Sequence, residues 1–354
     1  MKIWDWDNES LQRLAQFLES KGITKGDVRT KAIGDGHSNL TYLISDGFGN
    51  QVVLRRPPPP PTPPGAHDML REAKFISSLC GTNVPVAQCL TTAEAVGVID
   101  VHFYVMSFAS GFVVTEETPD VLRAPETCRS IAFNLVDTLA DLHLVDWQAK
   151  GMSSLGKPDG FNARHLRSVS KLVLDEGGEA AVHFREVTKW LEANTPPESG
   201  TSVIHNDYRI GNVILSNTRL GEIEAVLDWE LATLGDPLFD LGYFLGSIPD
   251  ANSEMTPTQE MGTAMLDSGF PGRTELADRY VARTGADLTN LNWYETLAHW
   301  KVGALYEYGR RRAEKGIGDS YFKGNAKVRS FLRAAHRSAG LPMISDRVIE
   351  EGTA

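Results

Sequence analysis

The spacing of hydrophobic and polar positions predicts paired strands and two helices in the first third of the chain. Apolar runs flank turn residues in "TKAIGDGHSNLTYLIS" (residues 30–45) and "NQVVLRR" (residues 50–56), and "DGFGN" supplies the turn between these two runs, which predicts a hairpin. The runs "VGVID" (residues 96–100) and "HFYVMSF" (residues 102–108) also have strand character. Residues 8–20 and the segment "AHDMLREAKFISSL" instead place apolar residues at helical spacing.

From about Gly111 onward the apolar residues follow helical spacing. The segment "APETCRSIAFNLVDTLADLHLVDW" reads as a long amphipathic helix, and two shorter helical segments follow it. A short strand–loop–strand around Asp207 comes next, and the C-terminal third is helical again. This order predicts an α+β protein with two lobes, a small β-rich N-lobe with an antiparallel sheet over residues 1–108 and a larger, mainly helical C-lobe over residues 109–354.

Composition and charge exclude several classes of protein. With 354 residues, of which 42% are hydrophobic, the chain can bury a sizeable core. Its formal charge of −11 disfavours nucleic acid and anionic membrane as partners. Asp100 and His102 interrupt the longest apolar stretch, so no membrane span is expected, and the acidic N-terminus lacks the pattern of a leader. The three cysteines show no metal-ligand spacing, which indicates reduced thiols in a cytoplasmic protein.

Two neighbouring segments carry polar side chains at the ends of short apolar runs. "VIHNDYRIGNVIL" (residues 203–215) holds two short strands around the loop "HNDYRIGN", which is too polar to bury, and "VLDWE" ends a third strand at Asp228. Asp207 and Asn212 stand at opposite ends of the loop, so both can face one cavity. We therefore expect a carboxylate, a carboxamide and a second carboxylate to converge from three chain segments.

These oxygen ligands suit magnesium better than zinc. Magnesium takes few protein ligands and completes its octahedron with waters and substrate phosphates, whereas zinc requires several His or Cys residues at tight spacing, which the chain lacks. Asn212 and Asp228 are therefore predicted to bind magnesium. Asp207 is predicted to be the catalytic residue and to orient a substrate hydroxyl, because the proton can leave late in a loose phosphoryl-transfer transition state.

The motif "HNDYRIGN" followed by "LDWE" resembles the HxDxxxxN and D-W-E pattern of the aminoglycoside phosphotransferase and choline kinase-like small-molecule kinases. The segments "GDGHSNLTYLI", "VVLRRPPP", "DMLREAKFISSL", "FYVMSFASG" and "VLDWELATLGDPLFDLGYF" occur in the order of that family. Within that family, the sequence of these segments most resembles the kinase-like domain attached to some acyl-CoA dehydrogenases. The resemblance implies a protein-kinase-like fold, with Asp207 as the catalytic aspartate and Asn212 and Asp228 as the magnesium ligands.

Residues before the catalytic loop are predicted to contact the nucleotide. Gly34 and Gly36 lie between strands, so their backbone amides can approach phosphate oxygens, although an ordinary hairpin turn is the alternative. Ser38 is predicted to cover the phosphates with them. The resemblance further implies that "VMSF", which includes Met106 and Phe108, is the hinge whose backbone binds the adenine edge.

A kinase also needs a cation on the α- and β-phosphates, usually a lysine on the third strand paired with a glutamate of the following helix. The segment "VVLRR" has no lysine, and strand alternation makes Arg55 and Arg56 face opposite ways, so only one of them can point inward. The resemblance favours Arg55, with Glu72 as its partner. An arginine can bind phosphate bidentately, so this departure from the pattern is chemically tolerable.

Other polar residues near the motif are given less direct roles. His205 is predicted to hydrogen-bond to the backbone near Asp228 rather than to act as a base. Asp236 precedes a proline and an apolar run, which predicts a helix N-cap, although the resemblance implies that this aspartate braces the catalytic loop. Glu230 could approach a second metal or form a salt bridge. The run "PPPPPTPP" is expected to be a stiff connector between the third strand and the helix after it.

Together these features predict an ATP- and magnesium-dependent phosphotransferase, with GTP as an alternative donor, that acts on the hydroxyl of a small molecule. The acceptor stays open between a hydroxyacyl or hydroxy-acid compound and an aminoglycoside-like one. The rival interpretation is an inactive pseudokinase that binds a nucleotide or acts as a scaffold, because the lysine is missing and a proline run is present.

Overall fold

The computed structural model describes residues 6–34, 39–58, 67–95, 97–173 and 179–344, the side chain of residue 179 excepted. In the N-lobe these residues form two helices and five strands. In chain order they are α1 (Asn8–Ser20), β1 (Val28–Ala32), β2 (Leu40–Asp46), β3 (Gln51–Arg56), α2 (Met69–Leu79), β4 (Cys89–Ala93) and β5 (Phe103–Ser107).

The five strands form one antiparallel sheet in the order β1-β2-β3-β5-β4. The predicted hairpin at residues 46–51 is present as the β2–β3 pair. The predicted strand at residues 96–100 is wrong, because its described residues form bends and the strand that pairs with β5 lies earlier, at β4. The stiff connector is predicted at residues 57–64, and all of it after residue 58 lies outside the described residues.

Side chains of β3 alternate between two cores. Val53 packs in the larger core with α2, whereas Val52 and Leu54 pack in a separate N-lobe core with α1. This alternation continues into the two arginines, as the sequence predicts. Arg55 lies on the α2 side, where it contacts Glu72.

Arg56 lies on the opposite face of the sheet but is also buried, with 1% of its surface exposed. The expectation that only one of the two arginines is turned inward is therefore wrong. Each face of the sheet is covered by a helix, so alternation sends the two side chains to different interiors rather than sending one to solvent.

The described part of the C-lobe has eight helices and five short strands. In chain order they are β6 (Gly111–Phe112), α3 (Pro125–His143), α4 (Phe161–Ser170), α5 (Glu179–Ala193), β7 (Ser202–Ile204), β8 (Val213–Ser216), β9 (Ile223–Val226), β10 (Thr233–Gly235), α6 (Pro237–Ser247), α7 (Pro257–Glu260), α8 (Arg273–Thr284), α9 (Leu291–Glu314) and α10 (Ala326–Ala339). The strands form two small antiparallel sheets, β10-β7 and β6-β8-β9.

The core of the C-lobe is built around α9, which packs against α6 and α10 and buries Trp293 and Trp300. The same core continues into the N-lobe through Tyr104 and α2, so the two lobes share apolar packing behind the cleft. The helix α6 begins at a Pro that follows its N-cap, Asp236, and the Asp236 side chain accepts a hydrogen bond from Leu238 N, as predicted. No helix in the described ranges is both long enough and apolar enough to cross a membrane.

Candidate active site

The loop between β7 and β8 carries the predicted catalytic residue and is anchored from behind. Asp240 of α6 accepts hydrogen bonds from the backbone N of His205 (2.5 Å) and of Asn206 (2.7 Å). Asn206 has a positive φ of 72°, so this backbone shape needs such support. The role of bracing the loop that was implied for Asp236 therefore belongs to Asp240, one turn further along α6.

The loop is also more buried than its polarity predicts. His205, Asn206 and Asn212 are each at most 8% exposed, which contradicts the expectation that the loop is too polar to bury. Hydrogen bonds explain the difference, because buried polar groups are tolerated when they have partners. Lys301 of α9 donates to the backbone oxygen of Asn206 (2.9 Å) and to its Oδ1 (2.6 Å) from beneath the loop.

Two hydrogen bonds, one from Asn212 and one from the buried Tyr243 hydroxyl, hold the Asp207 side chain in place. Asn212 Nδ2 donates to Asp207 Oδ2 (2.9 Å) and to the Asp207 carbonyl (2.8 Å). The hydroxyl of Tyr243 donates to Asp207 Oδ1. Burial and the neighbouring Asp207 charge raise the pKa of Tyr243 well above its usual value, so this hydroxyl keeps its proton. The Asp207 carboxylate is thus fixed in orientation before any substrate binds.

Asp228 reaches the same region through the pairing of β8 with β9. Leu227 N donates to the backbone oxygen of Asn212 (2.8 Å), so the residue before Asp228 is bonded directly to a predicted metal ligand. His205 Nε2 lies 2.7 Å from the Leu227 oxygen, which confirms its predicted structural contact near Asp228. Asp228 itself has a positive φ of 63° and precedes the 3₁₀ turn Trp229–Leu231.

A chain of charges links the N-lobe to Asp228. Arg55 Nη1 lies 2.7 Å from Glu72 Oε1, and Arg55 Nη2 lies 3.1 Å from Asp228 Oδ1. The Arg55 and Glu72 side chains are 10% and 1% exposed, so this is a buried ion pair, whereas the Asp228 side chain is 35% exposed. The structure therefore forms the predicted pair on α2 and β3 and aims the same arginine at the predicted metal site.

The oxygen donors present fit magnesium. Because Asn212 uses its Nδ2 to hold Asp207, its Oδ1 is left as an acceptor. Among the contacts described for Asp228, the side chain uses Oδ1 toward Arg55, so the second carboxylate oxygen has no described protein partner. One carboxamide oxygen and one carboxylate oxygen match the small set of oxygen ligands that magnesium takes from a protein.

The structure describes only some of the other residues that are predicted to contact the nucleotide. Gly34 has a positive φ of 79° with open space around it, which favours glycine at this turn. Gly36 and Ser38 lie outside the described residues. Met106 is buried and pairs with both β3 and β4, whereas Phe108 follows the end of β5 and is 39% exposed. The hinge role of these two residues stays a prediction.

Glu230, which the sequence left open between a second metal and a salt bridge, contacts a residue of the N-lobe. Glu230 Oε2 accepts a hydrogen bond from Asn39 Nδ2 (2.9 Å). Asn39 Oδ1 lies 2.8 Å from Nδ1 of His67, two residues before α2 begins. These contacts join the two lobes beside the Arg55 network.

Arg209 is a candidate site residue that the sequence reasoning missed. Its Nε lies 4.0 Å from Asp207 Oδ1, and its Nη1 is buried without a hydrogen-bond partner among the described atoms. A side chain on Gly211 would clash with this guanidinium, so glycine makes room for it. Its position inside "HNDYRIGN" was a usable signal. Lys301, by contrast, lies 94 residues after Asp207 in a helix whose pattern indicates only core.

The fold and this arrangement of side chains define a kinase-like phosphotransferase. A model of the phosphotransferase enzyme family matches residues 29–294, and the chain belongs to that family. Acyl-CoA dehydrogenase family member 11 of Gallus gallus is 30% identical over 86% of this chain. The chain spans only 38% of that relative's own length.

Solved structures confirm the protein-kinase-like α+β fold with two lobes. A crystal structure of a candidate aminoglycoside phosphotransferase from Ralstonia eutropha has a TM-score of 0.77 at 27% identity, covering 93% of this chain and 97% of that one. An aminoglycoside phosphotransferase solved in ternary complex with AMP-PNP and hygromycin B has a TM-score of 0.56 at 16% identity, covering 91% of this chain and 98% of that one.

Proposed function

We propose that this protein transfers the γ-phosphoryl group of ATP, with magnesium, to a hydroxyl of a small molecule. One observation carries the proposal. Asn212 holds the side chain of Asp207, and its backbone oxygen accepts a hydrogen bond from the residue that precedes Asp228. Asp228 in turn contacts Arg55 of the buried Arg55–Glu72 pair. The nucleotide analogue bound in a structural neighbour supports a nucleotide as the donor.

Each residue of this set has a role that its contacts support. Arg55, held in place by Glu72, would bind the α- and β-phosphates, and Asn212 with Asp228 would hold magnesium, which supplies positive charge beside the phosphates when bound. Asp207 would accept a hydrogen bond from the acceptor hydroxyl and orient it toward the γ-phosphorus. Arg209 would add a positive charge next to the transferred group.

A basic cavity on α9 favours a phosphate-bearing acceptor over an aminoglycoside. Although the chain carries a net charge of −11, four cationic side chains line one open pocket of about 200 Å³, and one of them, Arg311, also donates to the Leu172 carbonyl and lies 3.6 Å from Glu307 Oε1. Its lining residues are Lys171, Leu172, Tyr308, Arg311, Arg312 and Lys315. Arg311 lies ten residues after Lys301, or about 15 Å along the helix axis from the residue that supports the catalytic loop.

Charge decides between the two acceptor classes. An aminoglycoside is a polycation and would be repelled by Lys171, Arg312 and Lys315, whereas a coenzyme A thioester carries phosphates that would be attracted. The relationship to acyl-CoA dehydrogenase family proteins supports the same class. We therefore propose a hydroxyacyl thioester of coenzyme A as the acceptor, with its hydroxyl at Asp207 and its phosphates at the basic cavity.

The experiment compares the wild type with Asp207→Asn and Asp228→Asn. Phosphorylated product is measured by mass spectrometry on a panel of hydroxyacyl-CoAs, free hydroxy acids and aminoglycosides, and binding of magnesium-ATP is measured by calorimetry. We expect Asp207→Asn to lose at least about 1,000-fold in turnover while it still binds the nucleotide, because it removes only the orienting group. Asp228→Asn should lose magnesium-dependent nucleotide binding as well.

Three outcomes would reject all or part of the proposal. Wild-type turnover in both variants would show that the site is elsewhere. Binding of magnesium-ATP without turnover of any acceptor would favour the pseudokinase interpretation. Phosphorylation of aminoglycosides alone would retain the catalytic site but reject the acceptor class.

A further inference from the structure

A cluster of two histidines and one glutamate lies outside the candidate active site. His183 and Glu186 are one turn apart on α5, and His336 faces them from α10. Glu186 Oε2 lies 3.5 Å from His183 Nδ1 and 3.9 Å from His336 Nε2, and all three ligand atoms lie within 4.8 Å of one another. Among the described residues, no other three His, Cys, Asp or Glu side chains place their ligand atoms this close together.

The histidine from α10 is buried and turned so that one nitrogen is free. His336 is 2% exposed, and its Nδ1 lies 2.8 Å from the carbonyl oxygen of Pro342. A carbonyl can only accept, so Nδ1 carries the proton and Nε2 presents a lone pair toward Glu186. His336 Nε2 and His183 Nδ1 are both buried without a hydrogen-bond partner among the described residues. A carbonyl that orients a metal-binding histidine through its other nitrogen is a common supporting contact.

We propose that His183, Glu186 and His336 bind a zinc ion. Ligand atoms on a tetrahedral zinc with bonds of 2.0–2.2 Å are about 3.4 Å apart. The two separations from Glu186 Oε2, 3.5 Å and 3.9 Å, are close to this value, and the two imidazole nitrogens lie within 4.8 Å of each other, so the histidine side chains would move toward each other to close on an ion. Two imidazoles and a carboxylate suit zinc, with water in the fourth position, whereas magnesium prefers oxygen ligands alone.

An ion pair between a protonated histidine and Glu186 explains the geometry less well. A charged His336 would donate from Nε2, but at 3.9 Å from Glu186 Oε2 no hydrogen bond forms. Two buried imidazole nitrogens would also stay unsatisfied, at a cost in stability that a bound cation removes.

The site would connect parts of the C-lobe that are distant in sequence. The ligands come from α5 and α10, and Pro342 belongs to the segment after α10. The candidate active site, in contrast, is built on β3, α2 and the β7–β8 loop. Zinc here would therefore join α5 to α10 and raise the melting temperature, independently of the proposed phosphoryl transfer.

The test measures zinc binding by the full chain after it has been stripped with a chelator and desalted. After zinc is added back and the excess is removed, we expect one zinc per chain by elemental analysis and a higher melting temperature. When Co²⁺ is added in place of zinc, we expect the visible absorption of tetrahedral cobalt. His183→Ala and Glu186→Gln change partly exposed ligands, so both should fold. Each should bind zinc at least about 10-fold more weakly than the wild type.

Matched controls separate this site from adventitious binding. His102→Ala removes an exposed histidine elsewhere, and Glu192→Gln removes an exposed glutamate of the same helix. Both should bind zinc as the wild type does. The proposal is overturned if the stripped wild type takes up no zinc, or if His183→Ala and Glu186→Gln retain wild-type affinity and cobalt absorption.

Discussion

Replacing Glu72 by Gln tests whether the Arg55 network both stabilises the fold and prepares the nucleotide site. The substitution keeps the size of the side chain but removes the charge that lies 2.7 Å from Arg55. Arg55 then keeps one partner, Asp228, at 3.1 Å. We expect the guanidinium to leave the position in which Glu72 holds it and to shift toward Asp228. Because Asp228 is a predicted magnesium ligand, this shift would also disturb the metal site.

The magnitude follows from burial. Removing one partner of a buried ion pair costs about 3–5 kcal/mol, because the remaining charge has been taken out of water without compensation. Arg55 retains the partly exposed Asp228, so the lower end applies and the free energy of unfolding should fall by about 3 kcal/mol. Affinity for magnesium-ATP should fall by at least about 10-fold, since the phosphate-binding cation is misplaced.

Urea denaturation measures the stability loss, and calorimetry of magnesium-ATP binding measures the affinity. The matched control is Glu9→Gln, which breaks the ion pair of Glu9 with Arg13 on α1, where the Glu9 side chain is 81% exposed. Its stability should stay unchanged within error, because solvent already screens the pair. If Glu72→Gln is as stable as this control and binds the nucleotide normally, the reasoning about the network is refuted.

Two further predictions concern α9. Burial lowers the pKa of Lys301 from 10.5 to about 8, so the unfolded chain binds more protons between these pH values and stability should rise with pH across that window. Relative to Lys301→Met, the wild type should gain about 3 kcal/mol from pH 8 to 10.5 by urea denaturation, and no gain would contradict the burial argument. Arg312→Gln in the basic cavity should raise the KM for a hydroxyacyl-CoA by about 5-fold without changing that for the free hydroxy acid. The exposed control Lys21→Gln should leave both KM values unchanged, and equal effects of Arg312→Gln on both acceptors would reject the cavity as a phosphate site.

The sequence predicted best where the chemistry is local. Asp207 and Asn212 belong to one loop between two short apolar strands, so their proximity follows from the strand–loop–strand pattern, and Asp228 ends the next strand. The alternation of Arg55 and Arg56 is equally local. Alternation does not indicate what covers each face of the sheet, so the burial of Arg56 was not predicted.

Partners from distant segments could not be predicted. Asp240 braces the catalytic loop from α6, and Lys301 supports it from α9, but neither spacing carries a signal in the sequence. The zinc ligands illustrate the same limit. His183 and Glu186 are one turn apart, while His336 comes 150 residues later, so only the packing of α5 against α10 joins them.

The β4 segment shows a different limit. Its sequence "CLTTA" is half-polar, whereas the apolar run "VGVID" looked more like a strand. In the structure β4 pairs with β5 through Cys89 and Thr91–Ala93, with a register shift between Cys89 and Thr91, while the described residues of "VGVID" supply apolar side chains to the N-lobe core from bends.

The position of a bound metal ion tests the central claim most directly. In a crystal of the protein with Mn²⁺ and a non-hydrolysable ATP analogue, the anomalous signal of the metal locates the ion without ambiguity. We predict a peak about 2.2 Å from Asn212 Oδ1 and from an Asp228 carboxylate oxygen, with the β-phosphate beside Arg55 and the γ-phosphate facing Asp207. A peak away from Asn212 and Asp228, or a triphosphate that lies outside the cleft next to Arg55, would contradict the account.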